Sequence, residues 1–184
     1  MSIEINIPAL EGLLELGENN VVAQVAGDAC LLYLQEWLDD LGNTHPNKFG
    51  APRQFYWEML SKGTTLDVDD TGATITIPAP FGQSYGGGDI YPKNASLLTI
   101  PARTESYGHR ARDFSDLHFV KFKSGAKALA QDKTGLVYFW LCEHVFQEPH
   151  PELLPTDQQI TDVAVNAIGW WWQNKLERES GFNP

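Results

Sequence analysis

The sequence predicts a single α+β domain, in which an antiparallel or mixed β-sheet packs against a long N-terminal helix and a C-terminal helix. Apolar residues recur at helical spacing near both ends of the chain, and short alternating segments typical of strands lie between them. The 184 residues, 42% of them hydrophobic, are enough to bury a substantial core. A second domain is therefore not required.

The first predicted helix covers residues 20–41. Its apolar side chains recur at every third or fourth position, and Gly42 can end it. Asp39 and Asp40 fall in its last turn, where the helix dipole disfavours negative charge. We therefore expect a basic group to face these carboxylates. Residues 1–18 are expected to form an N-terminal arm.

The middle of the chain is predicted to be mostly β-structure. A turn-rich segment leads into a short helix over residues 53–60, and a Gly-bearing turn at residues 69–72 predicts a hairpin. Residues 78–95 are rich in Gly and Pro, show no apolar period and are predicted to be a long loop. Strands are predicted at residues 64–68, 73–77, 96–100, 117–122, 126–130 and 135–146. The last of these should cross the centre of the sheet.

The C-terminal helix is predicted over residues 156–179. Thr156 and Gln159 form a capping-box pattern at its start. Three consecutive tryptophans, Trp170–Trp172, cover most of the helix circumference. Either two of them pack in the core and one is partly exposed, or they form a subunit interface, where Trp is enriched.

The formal charge of −11 is unevenly distributed along the chain. Residues 1–47 contain eight acidic residues and no Lys or Arg, whereas residues 93–127 contain seven Lys or Arg and three acidic residues. These segments are either two solvated faces or complementary patches that pair between neighbouring copies. The acidic balance argues against tight binding to a phosphate backbone.

The chain carries no pattern of export or membrane insertion. Its start lacks the basic and apolar regions of a secretory signal, and no apolar run approaches the about 20 residues that span a bilayer. Its two cysteines, Cys30 and Cys142, exclude a disulfide framework, although one bridge would be possible. We expect a cytoplasmic protein in a reducing compartment, without membrane association.

No catalytic or metal-binding constellation is recognisable. The five histidines lack the i, i+4 helical spacing and neighbouring Glu of a zinc protease, and both cysteines lie in hydrophobic segments. The run Gly86–Gly88 is followed by Asp89 and Pro92, not by the Lys and Ser or Thr of a phosphate-binding loop. The sequence therefore predicts no catalytic residue, no metal site and no cofactor.

Several short strings occur in a distinctive order. Residues 45–53 read His-Pro-Asn-Lys-Phe-Gly-Ala-Pro-Arg and precede an aromatic helix. Residues 87–95 contain a glycine pair, an isoleucine and the string Pro-Lys-Asn-Ala, and residues 98–102 read Leu-Thr-Ile-Pro-Ala. Residues 111–117 and a late aromatic strand follow. This order resembles the phage virion morphogenesis family, the Mu G-like tail-completion proteins.

The resemblance covers about residues 20–170 and implies a non-enzymatic virion protein. Such a protein completes the tail, or the neck that joins head and tail, as a homo-oligomeric ring such as a hexamer. The implied partners are further copies, the tail tube or terminator protein and head-completion proteins. DNA would pass through the ring without sequence-specific binding. The implied location is the host bacterial cytoplasm during assembly and then the virion. This chain departs from the family in its stronger acidity and its three consecutive tryptophans.

Subunit or partner contacts are expected in both charged segments. The three carboxylates near the end of the first helix are expected to contact Arg110, Arg112 or Lys121 of a neighbour. The Gly-rich loop lacks packing residues and is expected to order only against a partner ring. The full set of expected contact residues is Glu36, Asp39, Asp40, Tyr85, Gly86, Gly87, Gly88, Lys93, Arg103, Arg110, Arg112 and Trp170.

Two other functional classes are alternatives. A hydrolase would combine His109, His118 or His144 with a carboxylate in a cleft under the loop of residues 78–95. Its signature would be a histidine and a carboxylate within hydrogen-bond distance in one concave pocket. A small-ligand-binding domain would need a largely apolar, preformed cavity.

Overall fold

The computed structural model describes residues 1–6, 19–50, 53–69 and 72–179. The chain forms two compact units, one from Met1–Gly86 with Pro149–Pro184 and the other from Gly87–Glu148. The α+β class is confirmed, because long helices near both ends of the chain combine with antiparallel sheets. The single domain stays a prediction.

The first unit contains a three-stranded sheet and the long helices. Its helices are α1 (Asn19–Thr44), α2 (Gln54–Gly63), α3 (Phe81–Gly86) and α4 (Asp157–Glu179). Its strands are β1 (Ile3–Asn6), β2 (Thr65–Asp69) and β3 (Gly72–Ile77). None of these helices combines the length and the apolar character that crossing a membrane requires, as far as the described residues go.

The three-stranded sheet is antiparallel, in the order β1-β3-β2. The predicted β2–β3 hairpin is confirmed, although residues 70–71 of its turn lie outside the described residues. Residues 3–6 of the predicted N-terminal arm form β1 and pair with β3, Ile3 opposite Ile77. The remainder of that arm, residues 7–18, lies outside the described residues.

Helix α1 is buried on two sides and confirms the first predicted helix. Its side chains enter two hydrophobic clusters, one shared with β3 and α4 and one shared with α2 and α3. The helix does not end at Gly42 but continues to Thr44. A Cβ at Gly42 would lie 3.3 Å from Cα of Gln54, so this glycine permits the close packing of α2. The close packing of α2 therefore explains why residue 42 is a glycine, although we had expected it to terminate the helix.

Helix α4 begins with the predicted capping box. The Thr156 backbone N–H donates to Oε1 of Gln159 at 2.8 Å, and the Gln159 N–H donates to Oγ1 of Thr156 at 3.3 Å. Trp171 and Trp172 are half-buried against the first cluster, whereas Trp170 is 70% exposed. The arrangement matches the alternative with two tryptophans on the core and one exposed.

Residues 78–95 do not form a continuous loop. Residues 81–86 form α3, and Gly88–Ile90 form a short strand. Phe81 is fully buried and stacks on Tyr85 at 6.1 Å, so the expectation that this segment orders only against a partner ring is wrong for α3. Gly87 and Gly88 have φ values of 66° and 109°, which side-chain-bearing residues rarely adopt.

The second unit consists of short antiparallel strands. They are β4 (Gly88–Ile90), β5 (Leu98–Pro101), β6 (Leu117–Lys121), β7 (Lys127–Gln131), β8 (Val137–Cys142) and β9 (Val145–Gln147). Strands β4 and β9 pair, and the other four form a sheet in the order β5-β8-β7-β6. The prediction that the long aromatic segment crosses the sheet is confirmed for β8, but the segment is interrupted between Cys142 and Val145.

Candidate assembly surfaces

Among the described residues, two histidine–carboxylate pairs lie at the surface. Nδ1 of His118 is 2.6 Å from Oδ1 of Asp132, and Nδ1 of His150 is 2.8 Å from Oε1 of Glu152. The side chains of His118 and Asp132 are 49% and 58% exposed. A backbone hydrogen bond lowers the pKa of Glu152, and the hydrogen bond with His150 lowers it further. Ion pairs between side chains this exposed contribute little to stability, because solvent screens them.

The other two histidines considered for a hydrolase contact aromatic rings. His109 meets Phe114 edge-on at 5.8 Å, and His144 stacks on Tyr91 at 5.7 Å. Of the three histidines considered for a hydrolase, His118 is the one that contacts a carboxylate, that of Asp132, among the described residues. Within the described part of the chain, no cluster of three or more His, Cys, Asp or Glu side chains could hold a metal ion.

In the described part of the first unit, two cavities have linings that include no histidine. One has a volume of about 340 Å³ and lies at the start of α4. It is lined by Ile5, Tyr85, Pro151, Leu154, Pro155, Thr156, Asp157 and Ile160. The other, of about 270 Å³, lies near the end of α4 and is lined by Trp170, Trp171, Asn174, Lys175, Arg178 and Glu179. The histidine–carboxylate pairs therefore lie outside both cavities.

Cys30 is a structural thiol. It is fully buried, and its Sγ donates to the carbonyl of Ile160 at 3.6 Å. Burial raises the pKa of the Cys30 thiol to about 11. The reactive thiolate is therefore scarce at neutral pH. Cys142, on β8, is half-buried.

One face of α1 points to solvent and changes from apolar to acidic along the helix. Val21 and Leu32 are 45% and 61% exposed, and Glu36 and Asp39 are exposed one and two turns further on. Residues spaced by three and four positions form a single stripe on a helix. We name this stripe the α1 outer face, and it consists of Val21, Val25, Asp28, Leu32, Glu36 and Asp39.

Of the carboxylates expected to face a basic group near the end of α1, Asp39 interacts with the charge of Lys62 on α2. The pKa of Lys62 is raised chiefly by the hydrogen bond and charge of Glu58, and the charge of Asp39 adds to this effect. Lys62 is fully exposed and pairs with Glu58. Glu36 and Asp40 are exposed and form no ion pair with any residue in the described part of the chain.

A second surface, in the other unit, combines apolar and basic side chains. Phe119 and Lys121 lie on the same face of β6, an edge strand, because alternate residues of a strand share a face. Phe119 is 56% exposed, and Lys127 of β7 is the cross-strand partner of Lys121. We name Phe119, Lys121, Lys127 and Leu129 the β6–β7 face.

The remaining expected contact residues lie in several places. Arg110 and Arg112 are exposed at a 3-10 turn, Ala111–Asp113, and Lys93 is exposed after β4. Nε of Arg103 lies 3.4 Å from a carboxylate oxygen of Glu105. Sequence reasoning missed Phe119 and Lys127. The alternation of β6 and its pairing with β7 would have placed both beside Lys121.

The net charge differs between the two units. Residues 87–148 contain eight Lys or Arg and seven acidic residues, a net charge of +1, whereas the remainder contains five and seventeen, a net charge of −12. Exposed apolar side chains lie beside the acidic residues of the α1 outer face and beside the basic residues of the β6–β7 face. Comparisons with protein-family models, with curated proteins and with solved structures found no match.

Proposed function

We propose that this chain is a structural protein of bacteriophage assembly that completes the tail or joins it to the head. It acts as a homo-oligomeric ring and is not an enzyme. The observation that carries the proposal is the segregation of charge, −12 in one unit and +1 in the other, with exposed apolar residues on both. The order of short strings that resembles the tail-completion proteins also supports the proposal.

A ring of identical subunits needs two different surfaces that meet head to tail. The α1 outer face and the β6–β7 face differ in charge and in shape, one being a helix and the other a sheet face. Opposite charges steer association and fix its register, while apolar contacts supply most of the affinity. The two surfaces therefore have the composition that such a contact requires.

The strong acidity suits a channel for DNA. A phosphate backbone is bound by Lys and Arg, which displace its counterions, so a negative wall does not hold it. In this proposal DNA passes through the ring without sequence-specific contacts. The ring is flanked by the tail tube or terminator protein on one side and by head-completion proteins on the other.

A hydrolase is the second candidate, and the contact between His118 and Asp132 favours it. A carboxylate that holds a histidine at 2.6 Å can orient it as a general base. The pair is half-exposed, and neither residue lines the two cavities described above.

The test is electron microscopy of lysates from the phage or prophage that encodes the chain, with and without its coding sequence. We expect lysates without the protein to contain filled heads and separate tails, and we expect a plasmid copy to restore joined particles. Normal virions in the absence of the protein would contradict the proposal.

A matched variant separates the two candidate functions. His118→Ala removes the histidine from an exposed pair and should leave the fold intact. A structural protein with this substitution should restore joined particles as well as the wild type does. Loss of rescue by a folded His118→Ala protein would instead support the hydrolase.

A further inference from the structure

We infer that the occupant of the α1 outer face is the β6–β7 face of a second copy of this chain. The inference rests on the proposed function and deepens it, because it names the subunit contact. The sequence led us to expect that Arg110 or Arg112 contacts α1. In this inference the contact is made by the β6–β7 face instead.

The α1 outer face has the features of one half of an interface. Leu32, at 61% exposure, is among the most exposed large aliphatic side chains of the first unit. Helix α1 contains no Lys or Arg in 26 residues, so the carboxylates that follow Leu32 are not compensated from their own helix. A partner that covers this face and complements it would present an apolar group followed by positive charge.

The β6–β7 face presents an apolar side chain followed by positively charged ones. Phe119 is 56% exposed, and Lys121 follows it on the same face. Lys127 lies beside Lys121 on the next strand, and its described partner is Glu143, at 3.6 Å and 79% exposed. The Lys127 side chain is 34% exposed, and its 3.6 Å pair with the exposed Glu143 is weak, so Lys127 can approach a partner carboxylate.

The spacing of the two surfaces also matches. Leu32 and Glu36 are four helical residues apart, about 6 Å along α1. Phe119 and Lys121 are two strand residues apart, about 7 Å along β6. Placing Phe119 over Leu32 of a second copy therefore brings Lys121 to Glu36. Lys127, one strand away at about 5 Å, then lies within reach of the carboxylates of the next turn of α1.

The contact is head to tail, because its two sides differ. In a head-to-tail series each copy retains an unused α1 outer face or β6–β7 face until the series closes, so the series forms a ring or a filament. The same geometry predicts salt sensitivity, since exposed charges are screened within about 10 Å at 0.1 M salt.

The first experiment measures self-association by sedimentation velocity at low salt, with a pair of variants matched in exposure. Leu32→Gln alters the proposed contact, and Leu176→Gln alters a leucine of α4 that is 60% exposed and lies outside it. We expect self-association of Leu32→Gln to weaken about tenfold or more and that of Leu176→Gln to stay unchanged. Circular dichroism should show both variants folded.

The second experiment exchanges charges across the contact. Glu36→Lys and Lys121→Glu should each weaken association, and the double variant should recover most of it, because the ion pair is restored with reversed polarity. Asp162→Lys, which makes the same charge change on the exposed side of α4, is the control and should have little effect.

The outcomes separate this contact from the proposed function. A wild-type protein that stays monomeric at every concentration would overturn the proposed self-assembly and this contact with it. A wild-type oligomer that Leu32→Gln and Glu36→Lys leave unchanged would overturn the contact alone. Recovery in the double variant supports both.

Discussion

Replacement of Phe81 by Ala tests whether α3 belongs to the folded core. Phe81 is fully buried in the cluster that α1, α2 and α3 share. Its ring meets Trp57 edge-on at 6.4 Å and stacks on Tyr85 at 6.1 Å. The Gly- and Pro-rich sequence around it predicted a loop without packing residues, so this substitution distinguishes the two descriptions.

The expected loss follows from the packing. Truncation of a buried Phe to Ala costs about 3–5 kcal/mol of unfolding free energy, through lost transfer energy and the cavity left behind. Each aromatic pair contributes about 0.5–1.5 kcal/mol within that sum. Since each kcal/mol shifts the melting temperature of a chain this size by about 2–4 °C, Phe81→Ala should melt about 6–20 °C lower.

Phe55→Ala is the matched control, because Phe55 lies on α2 in the same unit and is 83% exposed. Its removal should change the unfolding free energy by no more than about 0.5 kcal/mol. The assay is urea denaturation followed by circular dichroism, with equal m-values as the check that the two variants unfold alike. A difference below about 1 kcal/mol between the two variants would refute the assignment of α3 to the core.

Three further outcomes are expected from the first unit. Thr156→Ala should cost about 1 kcal/mol in urea denaturation, because it removes the capping box of α4. Ile168→Ala, at a 2% exposed position, should cost about 2–5 kcal/mol, whereas Trp170→Ala should cost less than about 0.5 kcal/mol by the same measurement. Because the pKa of Cys30 is raised from 9.0 to about 11, the neutral thiol stabilises the fold below pH 9, and this stability is lost as pH rises towards 11. Cys30→Ala should remove this part of the pH dependence, and an equal decline in wild type and variant would contradict it.

The long helices could be predicted because their signals are local. Helical spacing of apolar residues marked α1 and α4, and the Thr156–Gln159 pattern marked the first turn of α4. The predicted end of α1 was wrong, because Gly42 permits the close packing of α2 and does not terminate the helix. A terminating glycine and a packing glycine look the same in the sequence.

Short elements that depend on distant partners could not be predicted. Strand β1 has four residues, and its partner β3 begins more than sixty residues later, so nothing nearby in the sequence indicates the pairing. Helix α3 spans six residues between Pro80 and Gly87, too few for a period to emerge. Its two core contacts, Phe81 and Tyr85, became apparent only when the second cluster was assembled.

The candidate surfaces were predicted in part. The unequal distribution of charge is a property of composition and was read directly from the sequence, including the carboxylates of α1 and Lys121. The exposure of Leu32 and Phe119 was not predicted, since a sequence does not show which apolar residues a core leaves out. The pairing of β6 with β7, which places Lys127 beside Lys121, is a long-range fact of the fold.

Static light scattering of the purified wild-type chain tests self-assembly most directly, with the mass measured over a range of concentrations at low and at high salt. Closed rings held by opposite charges should give a mass that is a whole multiple of the single chain at low salt and decreases as salt is added. A single-chain mass at every concentration and salt level would contradict assembly through these surfaces.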